Sequence, residues 1–420
     1  MKRAVIGLLG LGNIGGGVWD LIRTFGGEVE TRTGVSMRVK KALVLDKRYH
    51  GGHEVPDEVL TTEKEDILQD PEINIVCEFL GGEQPAASMM LTALKNGKTV
   101  VTANKMALSL HWDELRQAAR ETGAGLYYEA SVCGTIPIIN AIQTPLISNH
   151  VSSVMGIING TTNYILSRMT ADGESYEAVL AEAQRLGLAE PDPTADVEGF
   201  DAVYKLSILA SLAFHSRVYV KDIYREGISK ITAEDIACGR EMGYVLKLLA
   251  IGKELDGRIQ VRVHPTFLPE NHPLAGVDGS LNAVFLDGHA FKDLTFQGRG
   301  AGDMPTASAV VGDIVQAAQN EAHPMPWFRP DPLPVAEDWE SKYFIRMRAK
   351  DAPGVLAEVT GKMAAERVSV SAMMQKGTAA DGQVPLILIT HSAPESAVRR
   401  AVKALNPEIC RVENVIRVEE

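Results

Sequence analysis

The chain has 420 residues, 45% apolar and 23% charged, with 42 Lys+Arg against 54 Asp+Glu and a formal net charge of −12. That length suits two or three domains with proper cores, and an acidic balance without any basic run argues against a nucleic-acid partner. No stretch reaches the ~18 apolar residues of a membrane span, and Cys77, Cys133, Cys238 and Cys410 lack a CxxC spacing, so they read as buried free thiols of a cytoplasmic protein. Along the chain, Arg3–Leu9 reads as a buried strand, and after Gly10-Leu11-Gly12-Asn13-Ile14-Gly15 the apolar residues Ile14, Val18, Leu21, Ile22 and Phe25 recur at helical spacing. Strand-like runs return at 39–45, 73–80 and 99–102, with a helix over 86–96 stopped by Gly97. Alternating strands and helices predict a Rossmann-type, doubly wound parallel sheet.

A further strand is predicted over 125–130, and after Ile136 the character changes. Strands over 151–158, 260–263 and 283–286, with helices over 164–169, 176–186 and 201–214, describe a central α+β domain, read as the substrate domain. A glycine-rich loop, Gly298 to Thr306, precedes a helix over 306–319. Pro324, Pro326, Pro330, Pro332 and Pro334 then form a stiff, extended linker. Beyond it, strands over 343–349, 368–374, 384–391 and 410–418 and helices over 355–366 and 395–405 give the βαββαβ order of a ferredoxin-like module. The predicted domains are 1–135 with a returning segment 300–322, 136–299, a linker 323–341, and 342–420.

The motif Gly10-x-Gly12-x-x-Gly15 sits between a strand and a helix, the context in which it cradles a pyrophosphate. Gly10 permits the turn, Gly12 admits the phosphates, Gly15 brings helix and strand together, and Asn13 and Ile14 supply backbone amides. A ligand-free glycine turn is the alternative. The ribose-binding acid is expected roughly 20 residues past the fingerprint; Asp46 comes later, and Lys47 and Arg48 follow it. They read either as 2′-phosphate ligands or as a solvated turn, which leaves NADP and NAD both open. Thr102-Ala103-Asn104-Lys105 ends a strand at the edge where such sheets bind ligands. Between Ala183 and Lys205 the acids Glu190, Asp192, Asp196, Glu198 and Asp201 crowd together and end on Lys205. Such a cluster suits an ammonium group beside a proton donor. Asp201 and Lys205, four apart, share a helix face that continues into the apolar Leu206, Ile208, Leu209 and Leu212. A surface ion pair is the bland alternative. The ten histidines form no helical metal pair.

These motifs, with Asn159-Gly160-Thr161-Thr162-Asn163 and Gly302-Asp303-Met304-Pro305-Thr306-Ala307-Ser308, resemble homoserine dehydrogenase over residues 1–325. The run Asp351 to Gly361 resembles the opening of an ACT domain, which makes the chain similar to the monofunctional, feedback-regulated form. The resemblance implies reversible reduction of L-aspartate 4-semialdehyde to L-homoserine with NAD(P)H, in threonine, methionine and isoleucine biosynthesis. Lys205 is then the proton donor, with Lys105 sharing proton or substrate handling. Asp201 orients the reacting oxygen or a water, Glu190 holds the ammonium, Asp196 is a further substrate-binding residue, and the Gly187 backbone and Thr161 hydroxyl are weaker substrate contacts. Gly302 belongs to the returning cofactor loop, alongside Thr102, Ala103 and Lys105. The family's monovalent cation, usually sodium, implies carbonyl ligands from Glu129, Val132, Gly134 and Ile136. Threonine is the implied effector, held by Asp351 and the helix start at Gly354; an aspartate cap with an N-terminal proline is the alternative. A homodimer or homotetramer is expected. The competing functions are another small amino-acid or semialdehyde dehydrogenase and a non-catalytic nucleotide and amino-acid sensor.

Overall fold

The apolar run before the glycine turn forms the strand Lys2–Leu9. It lies inside a six-stranded sheet of the computed structural model, which describes residues 2–48, 52–320, 325–375 and 382–419. The chain folds as two compact units, one of Met1–Val154, Val203–Ile223 and Asn282–Pro332, the other of Met155–Ala202, Tyr224–Leu281 and Leu333–Glu420.

In the first unit the strands lie in the order Leu60–Thr61, Val35–Leu43, Lys2–Leu9, Ile75–Glu78, Thr99–Thr102, Leu126–Tyr127, each parallel to its neighbour. Numbered along the chain this is 3-2-1-4-5-6, the doubly wound order, and the crevice at its switch point opens between Lys2–Leu9 and Ile75–Glu78. Ile75–Glu78 and Thr99–Thr102 are buried at every position, which is why neither shows the alternation of a half-exposed strand. Helices Asn13–Thr33 and Asp303–Gln319 close over the sheet, joining Ile6, Leu8, Val18, Val39, Ile75, Val101, Val310 and Ile314 in one core.

Three strand boundaries move. The runs expected at 39–45 and 73–80 form Val35–Leu43 and Ile75–Glu78, and the strand expected at 125–130 is only Leu126–Tyr127. Glu129 leaves the ladder because its amide donates to the Asp313 carboxylate at 2.9 Å, and the chain turns into a 3-10 helix, Glu129–Ser131.

In the second unit an antiparallel hairpin, Tyr244–Leu255 with Arg258–Pro269, turns at Asp256-Gly257, both left-handed with φ of 51° and 72°. The strand Tyr244–Leu255 and the helix Ala233–Glu241 were not expected from the sequence, and 260–263 is a fragment of the longer Arg258–Pro269. Beside the hairpin lie Cys410–Val418, Glu340–Lys350, Gln383–Thr390 and Val370–Gln375, in that order. These four strands, with helices Val355–Ala365 and Glu395–Lys403, make the expected βαββαβ module. Its core holds Tyr343, Ile345, Val359, Met363, Leu386, Leu388, Val398 and Ala401.

Of the proline-rich stretch, Pro324 lies outside the described residues. In the first unit Phe328 stacks on Trp112, with ring centroids 5.9 Å apart, under the Arg116 guanidinium, which also donates to the Pro326 carbonyl. In the second unit Ile259 donates to the Pro334 carbonyl at 2.9 Å and Ala336 donates back to Ile259 at 2.8 Å.

Candidate active site and effector site

The fingerprint forms a cradle for a dinucleotide. Gly10 takes φ of 105°, and a side chain on Gly15 would sit 2.2 Å from the Gly10 carbonyl oxygen, so helix and turn meet only because both lack one. Gly12 caps the helix Asn13–Thr33 without a side-chain partner, no acid occupies the first turn, and nothing lies within 4 Å of a Cβ placed on Gly12. The helix start therefore presents bare amides to open space, as a pyrophosphate requires. Asn13 is exposed and Ile14 half-buried on that first turn.

Thr102, buried, ends its strand, and Lys105 is the first residue of the helix Lys105–Thr122 rather than a strand end. Asn104 fixes that start: its Oδ1 accepts from the Ala107 amide at 3.0 Å. Beneath them lies Glu78, fully buried at the end of the adjacent strand. Its carboxylate accepts from the Leu80 amide at 2.7 Å, the Thr102 hydroxyl at 2.8 Å and the Asn104 side-chain amide at 3.4 Å. Burial pushes the Glu78 pKa above the usual carboxylate range, against the pull of these donors. Sequence reasoning passed over Glu78. The available signal was an acid closing an apolar run at the sheet's carboxyl edge.

Past the second strand, Arg48 pairs with Asp46, Nη2 to Oδ2 at 2.5 Å, and this contact holds the Asp46 carboxylate below its ordinary pKa. The acid and the guanidinium proposed for the ribose end thus hold each other, on an exposed turn that also carries Lys47. Ala103, half-buried, and Gly302, exposed with φ of 118° at the start of helix Asp303–Gln319, complete the expected cofactor contacts.

The acid-rich block is sorted by its hydrogen bonds. Asn159 caps the helix Gly160–Asp172, accepting from the Thr162 amide at 2.9 Å. Its Nδ2 donates to Asp196 at 2.7 Å and to the buried Asp201 at 2.9 Å, so one amide binds two carboxylates. Asp201 opens the helix Phe200–Ala213, on which Lys205 follows four residues later, half-buried. Asp192 does not join them: it accepts from the Thr194 amide and hydroxyl in a local turn. Glu198 lies 4.0 Å from Arg225. Glu190 is exposed, on a loop whose carbonyls at Glu190 and Pro191 accept from Gln184. The Thr161 hydroxyl donates to the Leu188 carbonyl at 2.8 Å, and Gly187 turns the loop with φ of 72°.

Glu129, Val132, Gly134 and Ile136 are all buried. Cys133 and Gly134 are left-handed, and a Cβ on Gly134 would lie 2.8 Å from the Gly300 carbonyl. The Glu129 and Ile136 carbonyls each accept one backbone amide, from Val132 and Ile138, and each keeps a second lone pair. The Glu129 carboxylate accepts from the Ile139 and Asn140 amides at 2.9 and 2.7 Å, while burial pushes its pKa up to about 7. Among the described residues no cluster of three or more His, Cys, Asp or Glu side chains suits a metal.

In the ferredoxin-like module the helix begins at Val355, with Gly354 as its cap at φ of 92°. Pro353 therefore stands outside the helix, and no side chain caps it, which removes the alternative of a capping aspartate with an N-terminal proline. The exposed Asp351 accepts instead from Gln375 at 3.3 Å. Both line a cavity of about 370 Å³ with Lys350, Pro353 and Leu356.

A doubly wound sheet with this phosphate cradle, in a chain that also carries a βαββαβ module, is the architecture of a dinucleotide-dependent oxidoreductase. Residues 137–315 match the family model for homoserine dehydrogenase, residues 10–129 that for the homoserine dehydrogenase NAD binding domain, and residues 343–407 that for the ACT domain. The homoserine dehydrogenase of Corynebacterium glutamicum is 43% identical, covering 99% of this chain and 95% of that protein; that of Bacillus subtilis is 38% identical, covering 100% and 99%. The crystal structure of a homoserine dehydrogenase from Thiobacillus denitrificans superposes with a TM-score of 0.91 at 40% identity, covering 100% of this chain and 99% of that one. A hyperthermophilic archaeal homoserine dehydrogenase in complex with NADPH gives 0.64 at 26%, covering 75% and 97%. The chain belongs to the homoserine dehydrogenase family, NAD(P)-dependent oxidoreductases acting on a CH–OH group.

Proposed function

We propose that the chain interconverts L-aspartate 4-semialdehyde and L-homoserine, with Lys205 moving the proton at the substrate oxygen. The observation that carries this reading is the Asn159 amide binding Asp196 and Asp201 at the foot of the helix that bears Lys205. The nicotinamide supplies or accepts the hydride; the protein's share is orientation and charge placement. Asp201, held by Asn159, orients the reacting oxygen or a water, and Lys105 shares proton or substrate handling. Glu190 holds the ammonium group and Asp196 is a further substrate-binding residue, with the Gly187 backbone and Thr161 hydroxyl as lesser contacts. Residues 1–135 with 300–322 hold the nucleotide, 136–299 the substrate, and 342–420, beyond the linker 323–341, the effector. NADPH is the favoured reductant by analogy with the archaeal NADPH complex. Lys47 serves a 2′-phosphate directly, Arg48 only by leaving Asp46. Backbone oxygens at 129, 132, 134 and 136 suit a hard cation such as sodium. A cytoplasmic homodimer or homotetramer completes the reading.

Initial rates with homoserine and NADP⁺ or NAD⁺ test it. Lys205→Ala should lower kcat by about 10²–10⁴-fold, the usual worth of a general acid–base group, with nucleotide affinity retained. Full turnover by that variant would refute the assignment. Wild-type turnover only with a different amino alcohol would favour the rival dehydrogenase. Threonine is proposed as the effector because the cavity lined by Asp351 and Lys350 offers a carboxylate for an ammonium and a cation for a carboxylate, next to the start of the helix capped by Gly354. Asp351→Ala should abolish inhibition by threonine at unchanged kcat; inhibition that survives would place the effector elsewhere.

A further inference from the structure

We infer that Glu78 is a positioning residue for the cofactor, a buried acceptor that sets the two loops at the switch point in register with each other. The inference rests on the reading that Thr102–Lys105 faces the nucleotide. Glu78 pairs with Leu9 on one side and Thr102 on the other, so it sits where the strand before the glycine turn and the strand before Lys105 both end. Its partners come from both neighbouring loops. The Leu80 amide, with Gly81, belongs to the segment that follows it, and a Cβ on Gly10 would lie 3.3 Å from the Phe79 carbonyl of that segment. Thr102 and Asn104 belong to the turn that leads into Lys105.

Every one of these partners is a donor. The Thr102 hydroxyl accepts from the Asn104 amide at 3.0 Å, so its proton is directed at Glu78, and the Asn104 side chain also donates to the Gly82 carbonyl at 2.8 Å. Only a group with no proton of its own satisfies such a set, which selects a carboxylate over an amide of the same shape. Turning one end of the side chain into NH₂ sets it against either the Leu80 and Asn104 donors or the Thr102 hydroxyl. At least one buried donor then loses its acceptor, and one loop moves relative to the other. A purely structural acid would stabilise the sheet and leave ligand affinity alone. Glu78 instead ties the loop beside Gly10 to the cap of the Lys105 helix, and these are separate contacts on one ligand.

Glu78→Gln in the full chain tests this, with NADPH affinity read by its fluorescence, KM and kcat by initial rates, and folding by thermal unfolding. The expected result is an increase on the order of tenfold in Kd and KM for NADPH, the worth of one lost charge-assisted hydrogen bond. kcat should fall as well, while homoserine KM stays within twofold and the midpoint is near that of wild type. Should Glu78→Gln fold poorly, Glu78→Asp keeps the charge and withdraws it by one methylene, and it should show the same selective loss for NADPH. Wild-type NADPH affinity in a folded variant overturns the inference. Failure of the wild-type chain to bind NADPH overturns the cofactor reading beneath it as well, so the two failures are distinguishable.

Discussion

Asn159 shows how much chemistry one neutral side chain can organise. Its Oδ1 caps a helix and its Nδ2 holds two carboxylates, Asp196 and the buried Asp201. The Thr162 hydroxyl also donates to Oδ1 at 3.0 Å, so Asn159→Ala removes four bonds at once. Turnover should fall by at least tenfold, and stability by roughly 1–3 kcal/mol for the buried hydrogen bonds lost. Urea unfolding and homoserine kinetics on the same preparation check this; an unchanged kcat would detach Asn159 from the site. At this scale the sequence was partly readable. Asp201 and Lys205 declared themselves by helical spacing, and Gly10, Gly12 and Gly15 by their place between strand and helix. Glu78 did not, because a single acid after an apolar run has no spacing to announce it. Nor did the pairing of Asp46 with Arg48, which depends on a rotamer rather than a pattern.

The element most dependent on buried charge is the strand Cys410–Val418. Arg417 is bound by Glu395 at its Nη2 and Nε, by Glu226 at Nη1, and by the Tyr224 hydroxyl at 3.0 Å. Arg262, fully buried, and Lys253 both pair with Glu419. Removing Arg417 takes two bonds from Glu395, itself 5% exposed, and leaves it only the largely exposed Arg399 at 2.8 Å, so Arg417→Ala should destabilise the second unit by about 3 kcal/mol, read from the urea midpoint. Burial raises the pKa values of Glu395 and Glu419, but their cationic partners outweigh it and hold both below the ordinary carboxylate range. Their contribution to stability is therefore complete above the unfolded value of about 4.3, and it is lost as pH falls through the lower folded values. An acid titration of stability should show that limb, weakened in Arg417→Ala. Glu340–Lys350 and Gln383–Thr390 were legible in this module because each buries a long apolar run, whereas Val370–Gln375 has no buried residue and was read from its apolar and β-branched composition. Tyr244–Leu255 was not: Lys247 is only 1% exposed in the middle of an apolar run, and a strand buried on both faces shows no alternation to read.

For the molecule as a whole, the two compact units are each assembled from three separate stretches of chain, so neither is a simple segment of sequence. Pattern reading finds changes of character along the chain, such as the shift after Ile136 and the prolines after 324. It does not find which distant stretches fold together, because that is decided by packing between residues a hundred or more positions apart. The hairpin strand Arg258–Pro269 is bordered on its far side by Cys410–Val418, Thr266 against Arg417 and Phe267 against Val418, and the Glu419 amide donates to the Phe267 carbonyl.

That border sets an order of events during synthesis. A growing chain that has made residue 269 carries a strand whose flank is covered by Tyr224–Arg225 at Arg262 and Val263 but open at Thr266 and Phe267, and the Arg262 cation, bound for the interior, must wait some 150 residues for Glu419. Until then the half-made sheet is a template for the wrong neighbour. A chain stopped after residue 341 should emerge as aggregate rather than as an unregulated enzyme, which size-exclusion chromatography of the truncated product would reveal; a soluble, active fragment would mean that the flank can be left bare.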